Sequence, residues 1–202
     1  MDAPADVRFY FDLASVESYL VAEHVLDALA VVAEWQPVLR DRLPGPSAET
    51  ARCGTEREVF VVELARRAAA LGVQTLQWPG AWPELDSGHA MLAATYAKSI
   101  GRSVAFSQAA FRQIFAAGRD PADSDTLVIA GAACEIHPRA LLNALTLQST
   151  ARTLSEATAT AADLGVRDTP AISVGEQVFH GEDELPAAAA AAERALARAA
   201  RG

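Results

Sequence analysis

The first apolar run in the chain, Val7-Arg8-Phe9-Tyr10-Phe11, is short, apolar and aromatic, as a buried strand is. Apolar positions then recur at three- and four-residue steps through Tyr19, Leu20, Val21, Val25, Leu26 and Leu29, the spacing of one helix face. The pattern predicts a strand over Val7 to Asp12 and a helix behind it. Ser15 stands at the junction as a candidate N-cap, and Glu17 puts an acid in the first turn. Val31 to Leu39 reads as a second strand, ended by the turn-rich stretch Pro44-Gly45-Pro46-Ser47. A strand-helix-strand opening favours a parallel pair.

From about Thr50 to Leu147 the spacing is helical throughout: Phe60, Val61, Leu64 and Ala68 share one face, and Met91 to Ile100, Phe106 to Phe115 and Asp125 to Cys134 follow. Gly72, the stretch Trp78-Pro79-Gly80-Ala81-Trp82-Pro83, Gly101, Gly118 to Pro121 and His137-Pro138 divide this region into about four or five helices. A further helix is predicted over Ser149 to Leu164. Two short strands, Ala171 to Val174 and Gln177 to His180, then flank Gly175-Glu176 as a hairpin. The Ala-rich stretch Asp183 to Ala200 reads as a closing helix with Pro186 near its start. This is the order of an α/β, thioredoxin-like fold with an all-helical insertion after the second strand. Residues 1–45 and 149–202 would form the core, and residues 46–148 the insertion.

Composition narrows the partners. With 51% hydrophobic residues the chain can fill a core, while 17 Lys and Arg against 26 Asp and Glu leave a net charge of -9 and no basic run. A phosphate-binding footprint is missing, so nucleic acid is not an expected partner. Met1 to Asp6 carries acids and no cationic region, which predicts no signal peptide, and no apolar run approaches the ~18 residues of a membrane span. Cys53 and Cys134 are far apart, without disulfide-framework or zinc-ligand spacing. The expectation is a cytoplasmic protein with free thiols, no metal and no membrane contact.

Two segments resemble a known family. Phe9-Tyr10-Phe11-Asp12-Leu13-Ala14-Ser15-Val16-Glu17-Ser18-Tyr19-Leu20 is similar to the opening of the 2-hydroxychromene-2-carboxylate isomerases and kappa-class glutathione transferases, within the DsbA-like thioredoxin-fold superfamily. In that family a strand ending in Phe-Asp leads to Ser-Pro-x-Ser, an aromatic residue and Leu. Gly165 to Asp183 resembles the family's Gly-Val-x-x-(Val/Thr)-Pro segment, its hairpin and its closing Gly-x-Asp. Leu64-Ala65-Arg66-Arg67 and Phe106 to Asp120 look like the insert helices, so the resemblance spans nearly the whole chain.

Redox members of this fold begin the helix with Cys-x-x-Cys, because the helix dipole and free amides stabilise a thiolate. Ser15-Val16-Glu17-Ser18 stands there instead, and serines form no disulfide, so dithiol–disulfide exchange is excluded at this place. The helix start still favours an anionic sulfur brought by a ligand, to which the Ser15 hydroxyl can donate. The resemblance implies that glutathione, or another low-molecular-weight thiol, binds as co-substrate beside Ser15, the catalytic position, and attacks a small apolar or aromatic electrophile. It further implies a cis Thr169-Pro170 bond that turns the Thr169 backbone toward the helix start, and a γ-glutamyl end held by Glu182 and Asp183. Thr169, Pro170, Glu182 and Asp183 are thus the cofactor-binding candidates of an isomerase or transferase, and a homodimer is implied with them. Taken alone, Ser15 also reads as a plain N-cap, and Glu182 and Asp183 as acids at a helix start.

The chain departs from the family's pattern. Val16 and Glu17 replace the usual Pro and aromatic, Glu184 replaces an Arg, His180 an aromatic and Leu92 an Arg, and the 43–54 stretch lacks Gly-Asn-x-Pro. His24, His89 and His137 are isolated and read as surface or cap residues, and Trp35, Trp78 and Trp82 as packing, the Trp-Pro pairs shaping a cleft wall. Cys53, beside Arg52 in the loop facing the site, is a candidate reactive thiol. Two alternatives to the enzyme stay open: a non-catalytic thioredoxin-fold binding protein, and a single-cysteine oxidoreductase working through Cys53.

Overall fold

The computed structural model describes residues 6–46 and 52–200; expectations resting on Met1 to Ala5, or on Ser47 to Ala51 within the 43–54 stretch, lie outside the described residues. The sheet has four strands: β1 (Val7–Phe11), β2 (Glu34–Pro37), β3 (Ala171–Val174) and β4 (Gln177–His180), in the order β2-β1-β3-β4. β1 runs parallel to β2, with Phe9 opposite Trp35, and antiparallel to β3, with Phe9 opposite Ile172; β3 and β4 form the antiparallel hairpin. The thioredoxin-like order read from the sequence is therefore the observed one. β2 is shorter than the Val31–Leu39 run, because Val32 is 88% exposed and only the stretch facing β1 finds backbone partners.

Side chains alternate across β1 and divide the core. Phe9 and Phe11 join the larger cluster, where Trp35 meets Phe9 edge-on at 5.0 Å and Phe111 meets Phe11 at 5.9 Å. Tyr10 points the other way, into a smaller cluster with Val38, Leu43, Ala161, Val166 and Ala171. On the first face lie α1 (Val16–Ala28) and the closing helix. Five helices follow β2 in the chain: α2 (Gly54–Ala70), α3 (Gly88–Ser99), α4 (Ser103–Phe111), α5 (Ser124–Ala133) and α6 (Pro138–Ala144). α7 (Gln148–Leu164) returns the chain to the sheet, ended by Gly165 at φ 106°, and α8 (Leu185–Ala199) closes it. No helix among the described residues is long and apolar enough to cross a membrane.

Two local features govern how the helices meet the sheet. α3 buries Ala90, Ala93, Ala94 and Ala97 beside Met91, small side chains that let it approach β2, α4 and α7 closely. The Phe106–Phe115 pattern predicts one helix, but beyond Phe111 the chain widens into a π-helical turn, Arg112–Ala116. At that turn the Phe115 carbonyl accepts a hydrogen bond from Gln77 N–H (2.7 Å), and Arg112 reaches Glu23 of α1 at 2.7 Å.

Candidate functional site

β1 ends on Asp12, whose carboxylate organises the loop into α1. Asp12 is only 2% exposed; its Oδ1 accepts from Ala14 N–H (2.8 Å) and its Oδ2 from Arg40 N–H (2.9 Å), while its carbonyl accepts from Ser15 N–H (3.0 Å). Leu13 N–H points at the Met91 sulfur, 3.1 Å away, so α3 holds the same loop from the other side. These bonds deliver Ser15 to the helix start. Ser15 Oγ accepts from Ser18 N–H (3.1 Å) and donates to the Thr169 carbonyl (3.3 Å), and the Thr169–Pro170 bond is cis. Ser15 is thus both N-cap and the contact point with the segment before β3. The bond Gly181 N–H to the Pro170 carbonyl, 2.9 Å, brings the turn after β4 to the same edge.

Ser15 is fully buried, and Thr169 and Pro170 are buried beside it. The hydroxyls of Ser18 and Thr169 are also buried, with no hydrogen-bond partner among the described residues. An unpaired interior hydroxyl costs about 1–3 kcal/mol, so a site with two of them on the residues that bracket Ser15 suits a polar or anionic guest.

Glu182 and Asp183 separate in role. Arg67 of α2 holds Glu182 through Nε at 2.8 Å and through Nη2, and reaches Glu17 through Nη1 at 3.3 Å. Burial works against the Arg67 charge, yet Glu182 and Glu17 outweigh it and hold the guanidinium above its ordinary value. Glu182 is therefore committed to Arg67, whereas Asp183 is exposed and has no ion-pair partner among the described residues. Glu184 accepts from His180 N–H (2.6 Å), and His180 Nε2 accepts from Arg167 N–H (3.1 Å). The departures at Glu17, His180 and Glu184 thus make contacts within the protein.

A cavity of about 710 Å³ opens alongside the helix start. Its floor is Asp12 and Ala14; the turn Leu39–Arg42 and the segment Pro83–His89 form its walls, closed by Leu92 of α3 and by Ala151 and Leu154 of α7. Leu39, Leu85, Leu92 and Leu154 give the lining apolar surface, and Arg40, Arg42 and His89 share it with the acids Asp12, Asp41, Glu84 and Asp86. The expected cleft between helices and sheet exists, and His89, read as a surface residue, lines it. The Trp78 and Trp82 rings, 4.3 Å apart and tilted by 47°, pack against each other ahead of Pro83. Cys53 is exposed at the N-cap of α2, and Cys134 is buried, where loss of water pushes its thiol pKa up.

Arg57 belongs to no motif of the sequence and Arg67 stands there only within the insert-helix stretch Leu64-Ala65-Arg66-Arg67, although both interrupt the apolar face that Phe60, Leu64 and Ala68 give α2. Arg52 lies over the Phe60 ring at 3.6 Å, and Arg52 Nη1 and Arg57 Nε are buried without a partner among the described residues. A cationic residue on an apolar helix face is the signal that points to them.

A four-stranded mixed sheet with a helix starting behind β1 and a cis-proline segment facing that start defines a thioredoxin-fold protein. The chain belongs to the DSBA-like thioredoxin domain family, whose model matches residues 6–193. Among solved structures it is similar to a 2-hydroxychromene-2-carboxylate isomerase (TM-score 0.83, 20% identity, 96% of this chain and 98% of that one). It is similar also to a probable DsbA oxidoreductase from Streptomyces coelicolor (0.77, 18%, 95% and 89%). A third is the cytosolic disulfide reductase DsbM from Pseudomonas aeruginosa, solved with GSH (0.62, 13%, 97% and 99%). At these identities the likeness is one of fold. No curated protein matches the sequence.

Proposed function

We propose that this chain is an isomerase or transferase that uses a low-molecular-weight thiol, glutathione or a relative of it, on a small apolar or aromatic electrophile. One observation carries the reading: a serine hydroxyl caps α1 between Ser18 N–H and the Thr169 carbonyl, and the adjacent Ala14 lines a cavity of about 710 Å³ with apolar surface. The helix start and the unpaired Ser18 and Thr169 hydroxyls fit an anionic sulfur, and Asp183 fits an ammonium; Glu182, held by Arg67, does not. When bound, the thiol supplies the nucleophile. Ser15 orients that sulfur and donates to it in place of Thr169, and the apolar side chains of the cavity take up the electrophile. The same reading makes the protein a homodimer, a state that light scattering measures, and places it in the cytoplasm.

A second reading, a non-catalytic binding protein, draws on the complete burial of Ser15, since a ligand sulfur reaches it only after the site opens. Thiolate absorbance against pH, with glutathione and other low-molecular-weight thiols bound, separates the two. Ser15→Ala should raise the bound thiol's pKa and slow turnover by one to a few orders of magnitude, about 1.4 kcal/mol per tenfold, with affinity little changed. Asp183→Asn should weaken binding and leave the saturated rate nearly unchanged. If no thiol shows a lowered pKa in the wild-type protein, the thiolate mechanism is wrong and the binding reading replaces it.

A further inference from the structure

Arg67 belongs to α2, outside the sheet and outside α1, yet its guanidinium ends between carboxylates from both flanks of the candidate site. Nη1 donates to Glu17 Oε1 at 3.3 Å, and Nε donates to Glu182 Oε2 at 2.8 Å, with Nη2 on the same oxygen. The three side chains are 18%, 18% and 17% exposed, so solvent screens this cluster far less than an ordinary surface pair. Glu17 sits in the first turn of α1, close behind Ser15, and Glu182 immediately precedes Asp183. Removing Arg67 would leave two uncompensated acids at a helix start whose backbone amides favour negative charge.

We propose that Arg67 is a positioning residue for this site: by bridging Glu17 and Glu182 it holds the turn that carries Asp183 against the first turn of α1, and it offsets part of the negative charge that would otherwise oppose an anionic sulfur at Ser15. The proposal rests on Ser15 as the sulfur-binding position. It explains how acids can stand at positions 17 and 182 with less opposition to a thiolate: the same guanidinium faces both and offsets part of their charge. Asp183, left outside the bridge, keeps its charge for the ligand.

The test needs no identified ligand. Ser15→Cys, in a Cys53→Ser background, places the chain's own thiol at the helix start, and thiolate absorbance against pH reads its pKa; the buried Cys134 thiol, pushed up by burial, titrates apart from it. Adding Arg67→Met should raise that pKa by about one unit, a tenfold loss of thiolate below the pKa, because a nearby cation is removed and two carboxylates are released. Adding Glu17→Gln should lower it, and Arg67→Lys should keep most of the wild-type behaviour. Opposite signs for Arg67→Met and Glu17→Gln mark electrostatic positioning. A shift of the same sign in both, or none with Arg67→Met, overturns it; Glu17→Gln and Arg67→Lys decide the matter if Arg67→Met does not fold. Calorimetry with glutathione and the other low-molecular-weight thiols on the wild-type chain judges the thiol assignment separately. Failure of all of them to bind overturns that assignment, while the role of Arg67 still stands or falls on the signs of the two shifts.

Discussion

Asp12 and Ser15 show how differently two buried polar residues three positions apart are used. Ser15 Oγ serves one amide, that of Ser18, and donates to the Thr169 carbonyl; N-cap losses cost about 1 kcal/mol, so Ser15→Ala should fold with its urea midpoint lowered and its m-value unchanged. Asp12 satisfies two interior amides from different parts of the chain. Asp12→Ala should therefore cost on the order of 2 kcal/mol or more, measured in the same way, and an equal effect of the two substitutions would contradict this difference in role. The cap at Ser15 was legible in the sequence because its partner is local. The clamp at Asp12 was not, since Arg40 lies 28 residues away and only folding brings it near.

At the level of elements, the segment after β2 is docked onto the segment before β3 through Gly45. Its N–H donates to the Arg167 carbonyl at 2.8 Å, and a Cβ on Gly45 would come within 2.4 Å of that oxygen. Gly45→Ala must push the two segments apart, at a cost of about 1–3 kcal/mol, and shift the cavity wall to which Gly45 contributes. The expected outcome is a lower Tm together with weaker binding of any cavity ligand. A normal Tm would show that the contact relaxes easily. Strand and helix identities followed from periodicity, as the parallel β1–β2 pair and the β3–β4 hairpin illustrate. Their ends did not: Val31 and Val32 have the β propensity of the run but no strand to pair with, and the π turn after α4 has the apolar spacing of an ordinary helix.

Over the whole molecule, Tyr19 joins α1 to the π turn and thereby sets an alkaline limit. Its ring lies 6.0 Å from that of Phe111 and 5.9 Å from that of Phe115, and burial, with the Glu23 carboxylate nearby, pushes its pKa from 10.0 up to about 12. The folded-state pKa is the higher one, so the contribution is complete below pH 10 and is lost as pH rises from 10 toward 12. Tyr19→Phe should remove this part of the alkaline loss of stability, seen as a flatter dependence of the urea midpoint on pH in that window. The chemistry at the same scale is a negative expectation: insulin reduction should not exceed that of Ser15→Ala, because no dithiol stands at the helix start. Turnover that survives Ser15→Ala and vanishes in Cys53→Ser would favour the single-cysteine alternative.

Sequence alone determined the order of the elements, the fold class and the absence of a dithiol at the head of α1, since these depend on local periodicity and on which atoms a residue carries. It also pointed to Ser15, Thr169 and Pro170, each marked by its place next to a strand. Tertiary structure alone decided what these residues touch: that the Thr169 carbonyl meets Ser15, that Glu182 is held by Arg67 while Asp183 is left open, and that the cavity forms beside Ala14. Those contacts join residues 154 and 115 positions apart, distances over which no pattern of spacing along the chain carries information and only the packing of helices on the sheet selects a partner.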